Sequence, residues 1–434
     1  MHPTSRIRRV PPPLRLVGCA LCVLAIGACG GSEPEPADAG VVATVYENAR
    51  VIVGDGTVMD DAMVVVLDGR FAYVGPSAGA ALVEGAERVD LSGKTVMPAV
   101  VNAHAHLTST RPERAELLRH FAYYGQSAVL SLGLDEGNVA FEMRDEVVPS
   151  GARSLTAGRG ITSPEPGRTE VPYWVTNEEE ARAAVRELAA LEVDWVKVWV
   201  DDRNGQYERL SQPLYAAVID EAHAHGLRVA AHVFTLEDAK GLLRAGIDAF
   251  AHGIRDRDVD DELVALWLER PEVVLVPNLP GPGVATDVSW LAGTVPADQL
   301  AELEASAARE SASAQEAFGI QARNLVRLQQ AGVKIAFGTD GSAPWAVHQE
   351  LEDMVRAGMS PGDAIVAATS TSAALLRLDD LGSVTAGRSA DFVVLDANPL
   401  DDITNTHRIS DVYLRGARVD REALASGFLR PAAQ

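Results

Sequence analysis

The sequence predicts an α/β protein in which a (β/α)8 TIM-like barrel is joined to a small β-sandwich domain formed by the N- and C-terminal segments. Three observations lead to this fold class. Apolar segments of strand length alternate with amphipathic helical segments through residues 98–374, which predicts βα units and a parallel sheet. That region is close to the roughly 250 residues that such a barrel typically takes. Short β-rich runs between glycines occupy residues 41–97 and 375–434 on either side of it.

Residues 1–29 have the pattern of a processing signal and are set apart from the fold. Four arginines precede an apolar run over residues 16–28, and Ile26-Gly27-Ala28-Cys29 closes it. The run is too short to span a bilayer as a helix, which needs roughly 20 residues. The stretch resembles a bacterial lipoprotein signal that is lipidated at Cys29, which predicts export to the periplasm or outer membrane. A plainly cleaved signal, giving a soluble periplasmic or secreted protein, is the alternative.

The composition limits the partners and the chemistry of the mature chain. The 434 residues contain 38 basic and 61 acidic side chains, for a net charge of −23. This balance argues against nucleic acid as a partner and confines membrane contact to the lipid anchor. All three cysteines lie within the signal segment, so we expect no disulfide and no thiolate metal ligand. Residues 30–40, rich in glycine, proline and acidic side chains, predict a flexible tether.

Both flanking segments contribute strands to the predicted small domain. We expect them at residues 41–46, 49–53, 63–67, 71–74 and 95–97, and again at 383–384, 391–395, 412–414 and 417–419. Because short β-rich runs between glycines occur at both ends of the chain, one β domain built from both segments is predicted.

Eight strands are predicted for the barrel, at residues 96–106, 127–134, 153–161, 195–200, 228–234, 249–254, 273–279 and 334–340. A doubly wound open sheet is the alternative, but no glycine-rich dinucleotide loop follows the first strand.

Start and stop signals mark several of the intervening helices. Helix starts are predicted at Thr176 with Glu179, at Thr235 with Asp238, and at Ser360 with Asp363, and helix ends at glycines 226, 246 and 332. Residues 296–331 predict one or two exposed helices after strand seven.

Side chains able to bind a metal ion lie along or at the ends of five predicted barrel strands. If residues 101–106 form a strand, His104 and His106 point the same way, because successive side chains alternate between faces. Lys197 lies within strand four, and strands five, six and eight end in His232, His252 and Asp340. Because barrel active sites lie at the carboxyl ends of the strands, we expect these six groups to share one face.

Lys197 is the most informative of the six. An ammonium inside an apolar parallel strand is an uncompensated buried charge, which costs several kcal/mol. A side chain that reaches water at the strand end is the alternative. Four histidines are predicted on the same face, where a metal dication would repel an ammonium. A lysine carboxylated by carbon dioxide resolves the conflict, because it supplies an anionic oxygen pair able to bridge two metals.

With these residues in place, the chain resembles the amidohydrolase superfamily in its binuclear form. That form has an HxH motif on strand one, a carboxylated lysine on strand four, histidines on strands five and six, and an aspartate on strand eight. The stretches Gly338-Thr339-Asp340-Gly341 and 382–391 are similar to that superfamily as well. Within it, the chain is most similar to the imidazolonepropionase-like and prolidase-like branch, which contains dipeptidases and other amide hydrolases.

The resemblance implies a ligand set and a catalytic residue. His104, His106 and Asp340 would hold one metal, His232 and His252 a second, and carboxylated Lys197 would bridge them. Imidazole and oxygen ligands suit zinc best, although such sites also accept cobalt or manganese. In this scheme a metal-bridging hydroxide attacks the scissile carbonyl. Asp340 accepts its proton and then protonates the leaving amine.

Substrate-binding residues are predicted from the loops at the same face. Arg159 and Arg168 follow strand three and are suited to pair with a substrate carboxylate. Tyr173, Trp174 and residues 277–290 are expected to wall the pocket, and His348, after strand eight, to contact substrate. Solvent exposure for the arginines and ordinary packing for the others are the alternatives.

These observations predict a metal-dependent hydrolase that cleaves a C–N amide bond in a small molecule, a dipeptide or an N-acyl amino acid. A lactonase or phosphotriesterase is the first alternative, because the same binuclear chemistry serves esters. A non-catalytic surface lipoprotein is the second, although all six ligand positions are filled. A deaminase of the same superfamily is disfavoured, because those enzymes usually lack the bridging lysine.

Overall fold

The structure is a computed structural model that describes residues 43–77 and 85–429. The predicted signal segment, with Cys29, and the tether at residues 30–40 lie outside the described residues. Among the helices of the described ranges, none combines the length and apolar character needed to cross a membrane.

The described strands, in chain order, are β1 (Thr44–Ile52), β2 (Val58–Leu67), β3 (Arg70–Pro76), β4 (Glu87–Asp90), β5 (Thr95–Pro98), β6 (Val100–Ala105), β7 (Gln126–Ser131), β8 (Arg153–Thr156), β9 (Ile161–Thr162), β10 (Tyr173–Trp174), β11 (Val196–Val200), β12 (Val229–Val233), β13 (Ala249–Ala251), β14 (Val274–Val276), β15 (Lys334–Ile335), β16 (Phe392–Leu395), β17 (Ile409–Leu414) and β18 (Ala417–Arg418).

The described helices are α1 (Arg111–Tyr123), α2 (Val139–Met143), α3 (Glu178–Ala190), α4 (Gln212–Ala224), α5 (Leu236–Ala245), α6 (Asp261–Leu268), α7 (Ala297–Ala307), α8 (Ala312–Gln330), α9 (Ala346–Arg356), α10 (Pro361–Val366), α11 (Ser372–Leu375) and α12 (Arg421–Phe428). A π-helical turn, Ala367–Thr371, joins α10 to α11.

A mixed sheet takes strands from both ends of the chain, as predicted. Its order is β18-β17-β16-β5-β1-β2-β3, and β4 pairs with β1 beside this path. In the middle, β5 runs parallel to β1 and antiparallel to β16. Irregular pairing between Tyr46 and Val51 interrupts the β1–β2 ladder, and such bulges bend a strand. The N- and C-terminal segments are therefore joined in one hydrogen-bonded sheet.

The middle of the chain forms the predicted barrel. Strands β6, β7 and β8 make one parallel sheet, and β11 to β15 make a second, which β9 and β10 extend. Backbone hydrogen bonds join the two sheets at both seams. The amide of Asp194 donates to the carbonyl of Thr156 at 2.9 Å. The amide of Ala103 donates to the carbonyl of Phe337 at 2.9 Å. Eight parallel strands thus surround one axis.

Alternation along the strands separates two apolar layers. In β11, Val196, Val198 and Val200 belong to the layer between the strands and the surrounding helices. Because neighbouring side chains point to opposite faces, Lys197 and Trp199 face the barrel interior. Trp195 belongs to the interior cluster with small residues of the neighbouring strands. The lysine is therefore directed into the barrel by the apolar pattern around it.

The predicted first barrel strand is divided in the structure. Residues 96–106 were expected to be continuous, but β5 ends at Pro98 and belongs to the mixed sheet, while β6 belongs to the barrel. Proline lacks the amide hydrogen needed to continue a ladder on both sides, and the next amide, that of Ala99, donates to the backbone carbonyl of Asp391. The switch between sheets thus occurs at Pro98.

Several barrel strands end earlier than the sequence predicts. Strands six, seven and eight stop at Ala251, Val276 and Ile335 instead of residues 254, 279 and 340. The backbone is left-handed at His252, directly after strand six, and at Asn278, two residues after strand seven. It is left-handed again at Asp340, in the segment after strand eight. Left-handed backbone departs from the extended conformation of a strand and turns the chain at these positions. His252 and Asp340 therefore stand just beyond the ladders, whereas His104, Lys197 and His232 lie within β6, β11 and β12.

The helix caps are mostly as predicted. Thr235 and Ser360 accept hydrogen bonds from the amides of Asp238 and Asp363, and Gly246 ends α5 with φ 103°. The prediction for α3 was wrong by one residue, because Asn177 rather than Thr176 caps it. In the mixed sheet, β4 was missed, residues 383–384 are not a strand, and two predicted strands merge into β1.

Candidate metal centre

Asp340 is the side chain on which the histidines of the barrel face converge. Its Oδ1 lies 3.1 Å from Nε2 of His104 and 3.1 Å from Nε2 of His106. Its Oδ2 lies 3.5 Å from Nε2 of His252. Ligand atoms of His104, His252 and Asp340 all fall within 4.8 Å of one another, a spacing at which they could hold one metal ion. Residues from the first, sixth and eighth strands are thus brought to one point.

His232 adjoins this group but makes different contacts. Its ring centroid lies 4.6 Å from that of His252. Its Nε2 lies 3.1 Å from Oδ2 of Asp201 and 3.2 Å from Nη1 of Arg203. Arg203 in turn contacts Glu165, with its Nε 2.9 Å from Oε1. A buried ionic network thus borders His232 on the side of the loops after the third and fourth strands.

Lys197 is completely buried, and its ammonium nitrogen has no hydrogen-bond partner among the described residues. Burial lowers the pKa of Lys197 to about 7, against the opposing influence of Asp340. Gly133 leaves room for it, because a Cβ there would lie 2.7 Å from Cγ of Lys197. An unpartnered buried amine is costly. The position therefore suits an amine that is neutral or modified.

Burial and mutual contact set the charges of the other groups. Burial lowers the pKa of His104 to about 4, although Asp340 opposes the shift. Burial also lowers the pKa values of His232 and His252 well below the ordinary value. Burial alone would raise the pKa of Asp340, but the neighbouring imidazoles outweigh it and lower that pKa. Neutral imidazoles and an ionised carboxylate are the forms that bind metals.

The donor set and the unpartnered Lys197 fit a divalent metal. Imidazole nitrogens and carboxylate oxygens are ligands that zinc takes, and the donors surround the carboxylate from several strands. The backbones of His252 and Asp340 are held at φ 106° and 50°, conformations that cost on the order of 1–3 kcal/mol each. Strained backbone at residues that supply metal-binding side chains is typical of a functional site.

Some residues of this site were not singled out in the sequence. Asp201 had no predicted role, yet its carboxylate contacts His232. Asn278 was not considered individually, yet its Oδ1 lies 2.9 Å from Nδ1 of His104. Asn102 accepts the amide of His104 at 3.1 Å and donates to Oγ1 of Thr339 at 2.9 Å. The available signal was a polar residue within or just after an apolar strand.

Three of the predicted substrate residues, Arg159, Tyr173 and His348, make contacts outside the histidine cluster. Arg159 donates to the backbone carbonyls of residues 170–172 and lies over the ring of Tyr173 at 4.1 Å. Tyr173 Oη is 2.6 Å from Oε1 of Glu187. His348 is buried, with Nδ1 3.1 Å from Oγ1 of Thr406. Arg159 and Tyr173 thus stabilise the loop after the third strand, and His348 is buried against Thr406. The substrate-binding role of these three residues stays a prediction.

A cavity of about 680 Å³ borders the face beside Thr339, the residue before Asp340. The loop after β14 and the helices α7, α8 and α9 form its walls. Its charged lining consists of Asp287, Arg309, Glu350, Glu352 and Asp353. Burial raises the pKa of Glu350 well above its ordinary value and that of Asp353 to about 7. Four of these five side chains are carboxyl groups, and two of the four have raised pKa values.

Comparison with curated proteins finds relatives over most of the chain. An uncharacterized protein of Mycobacterium tuberculosis is 28% identical over 327 residues, which are 70% of this chain and 78% of the relative. The imidazolonepropionase of Deinococcus radiodurans is 26% identical over 401 residues, which are 85% of this chain and 94% of that enzyme.

Solved structures share the fold. A Bifidobacterium longum protein that is proposed to be a prolidase aligns with a TM-score of 0.73 and 28% identity, covering 90% of this chain and all of that one. A Xaa-Pro dipeptidase with bound methionine in the active site aligns with a TM-score of 0.69 and 24% identity, covering 87% and 99%. Residues 95–419 match the profile described as the Amidohydrolase family.

Proposed function

Because the chain belongs to the amidohydrolase family, we propose that it is a metal-dependent hydrolase that cleaves the C–N amide bond of a dipeptide or an N-acyl amino acid. The convergence of His104, His106 and His252 on the Asp340 carboxylate supports this proposal most directly. Similarity to imidazolonepropionase and to prolidase-like structures agrees with hydrolysis of a C–N bond.

Two divalent metal ions, with zinc the best match to the donors, are proposed as cofactors. His104, His106 and Asp340 would hold one ion, and His232 and His252 the other. Lys197, carboxylated by carbon dioxide, would bridge them. The buried amine of Lys197, which has no hydrogen-bond partner in the described part of the chain, supports this assignment, because carbon dioxide reacts with the neutral amine and the product would contribute oxygen ligands.

The chemistry follows from the positions of the chain's own groups. When bound, such metals lower the pKa of a water molecule and polarise a carbonyl. Asp340 is the base in this proposal, because its ionised carboxylate lies at the centre of the cluster. An Asp340 oxygen takes the proton of the attacking water, and the resulting carboxylic acid gives it to the departing amine nitrogen.

The cavity beside Thr339 is the proposed space for the substrate. Four carboxyl groups and one guanidinium line it, which complements a substrate with a positive charge. Burial raises the pKa values of Glu350 and Asp353 and so favours their neutral forms; a substrate ammonium beside them would oppose this shift and stabilise the carboxylates. The cavity therefore favours a dipeptide with a free amino group over an N-acyl amino acid, whose charge is only negative.

The test is to load the purified protein with zinc and measure hydrolysis of dipeptides and of the same dipeptides acetylated at the amino terminus. We expect metal-dependent cleavage, abolished by a chelator and restored by zinc, with a higher kcat/KM for the free dipeptide. Hydrolysis of lactones or phosphotriesters with no cleavage of any amide would contradict the proposal. A preference for the acetylated compounds would contradict only the assigned substrate class.

Export as a lipoprotein is proposed separately. The support is the apolar run at residues 16–28 ending in Cys29, which lies outside the described residues. In cells supplied with a labelled fatty acid, the wild-type chain should incorporate label, and Cys29→Ser should lose it. Cys19→Ser is the matched control and should keep the label, because its preceding apolar run is much shorter. Label in Cys29→Ser would overturn the assignment.

A further inference from the structure

Asn278 places a buried amide against the back of a predicted metal ligand. It lies two residues past the end of β14, is 4% exposed, and has a left-handed backbone with φ 43°. Asparagine tolerates this conformation better than most residues. Its Oδ1 lies 2.9 Å from Nδ1 of His104. Its Nδ2 has no hydrogen-bond partner among the described residues, so the contact with His104 is what the side chain provides.

We propose that Asn278 is a positioning residue that fixes His104 in the tautomer able to bind metal, an inference that rests on the proposed metal-dependent function. An amide oxygen only accepts hydrogen bonds, so Nδ1 of His104 must carry the ring proton. Nε2 then keeps its lone pair, and it is the nitrogen that faces Asp340, at 3.1 Å from Oδ1. If the Asn278 side chain were turned so that its NH2 group faced Nδ1, the ring proton would lie on Nε2 and would prevent this nitrogen from binding a metal.

The surrounding backbone restricts the orientation of the His104 imidazole. The amide of His104 donates to Oδ1 of Asn102 at 3.1 Å, which fixes the main chain. Gly338, which follows β15, permits the close approach of this segment to His104. A Cβ there would lie 2.7 Å from Cβ of His104 and 2.9 Å from Nδ2 of Asn278. The ring and the amide are therefore packed together in one orientation.

His104 differs in this respect from its neighbours. Nδ1 of His252 instead faces a donor, Nη2 of Arg255 at 3.2 Å. Nδ1 of His106 has no hydrogen-bond partner within the described ranges. Of these three histidines, His104 is the one whose outer nitrogen meets an acceptor. The contact with Asn278 thus sets the tautomer of His104 before any metal binds.

The test uses two substitutions that both tolerate a left-handed backbone. Asn278→Gly removes the acceptor, and Asn278→Asp keeps one. Zinc affinity of the full-length proteins is measured by competition with a chromophoric chelator, and the cobalt-loaded forms are compared by absorption. We expect Asn278→Gly to bind zinc roughly 10- to 100-fold more weakly and to change the cobalt spectrum. Asn278→Asp should restore affinity close to that of the wild type.

Asn48→Gly is the matched control, because Asn48 also has a left-handed backbone, φ 62°, but lies in the mixed sheet. It should bind zinc like the wild type. Thermal unfolding without metal shows whether each variant is folded. Wild-type zinc affinity in a folded Asn278→Gly, or equal losses in the Gly and Asp variants, would overturn the positioning role. Absence of zinc binding by the wild type would instead overturn the proposed function.

Discussion

At the scale of single residues, Asp340 carries the largest share of the proposed chemistry. Replacing it with asparagine keeps the shape but removes the base and one ligand charge. We expect Asp340→Asn to lower kcat by roughly 100- to 10,000-fold, the range usual for general acid–base groups. Steady-state kinetics on the preferred dipeptide provide the measurement. Asp258→Asn, which alters an exposed carboxylate paired with Arg323, is the control and should retain wild-type kcat. Full turnover by Asp340→Asn would remove this role.

Lys197 allows stability and metal binding to be separated. Lys197→Met keeps the length of the side chain and removes the unpartnered buried amine. The metal-free variant should gain about 1–3 kcal/mol in free energy of unfolding, since an unsatisfied buried polar group is lost. Its zinc content should fall at the same time, measured by elemental analysis in bicarbonate buffer. Lys334→Met, at an exposed lysine, should change neither quantity. Unchanged zinc content in Lys197→Met would argue against the bridge.

The sequence predicts the residues of the candidate centre better than their neighbours. His104, Lys197 and Asp340 could be found because each is a polar group within or just after an apolar strand. Asn278 and Asp201 could not be assigned, because their contacts join residues far apart in the chain. Left-handed backbone at Asn278 leaves no mark in an apolar pattern. The predicted ligand set stays a prediction, although four of its six members meet in direct contact.

At the scale of elements, helix α5 follows the strand that carries His232, and its cap can be tested. Thr235 accepts the amide of Asp238 at the start of α5. We expect Thr235→Ala to lower the free energy of unfolding by about 1 kcal/mol, a usual value for a lost cap. Ser211→Ala is the matched control, because Ser211 occupies the same position on α4 without a side-chain cap bond. Chemical denaturation should show a loss in the first variant only, and equal losses would contradict the assignment.

Elements were predictable where a local signal specifies them. The cap at Thr235 and the alternation in β11 are set by neighbouring residues, and both agree with the structure. The division of the first strand at Pro98 was missed, because it depends on β5 pairing with β1 on one side and with β16 on the other. Strand pairing over such distances has no signature within the strand itself.

At the scale of the whole molecule, the proposed metals would connect strands from around the ring. Their ligands come from the first, fourth, fifth, sixth and eighth strands, so binding should oppose opening of the barrel. Free zinc at about 100 times its Kd should add about 2.7 kcal/mol per occupied site to the free energy of unfolding. Calorimetry with and without zinc measures this shift, and Asp340→Asn should show a smaller one. No stabilisation of the wild type would contradict tight binding to the folded state.

The mixed sheet imposes an order of events on a chain that is made from one end to the other. Strand β5 has β1 on one side and β16 on the other, and β16 is synthesised only after the complete barrel. Until residues 392–395 are available to pair, β5 has an open edge, which is a site for wrong pairing with other chains. Final closure must therefore wait for nearly the whole chain, and premature termination before β16 would yield a barrel that still exposes this edge.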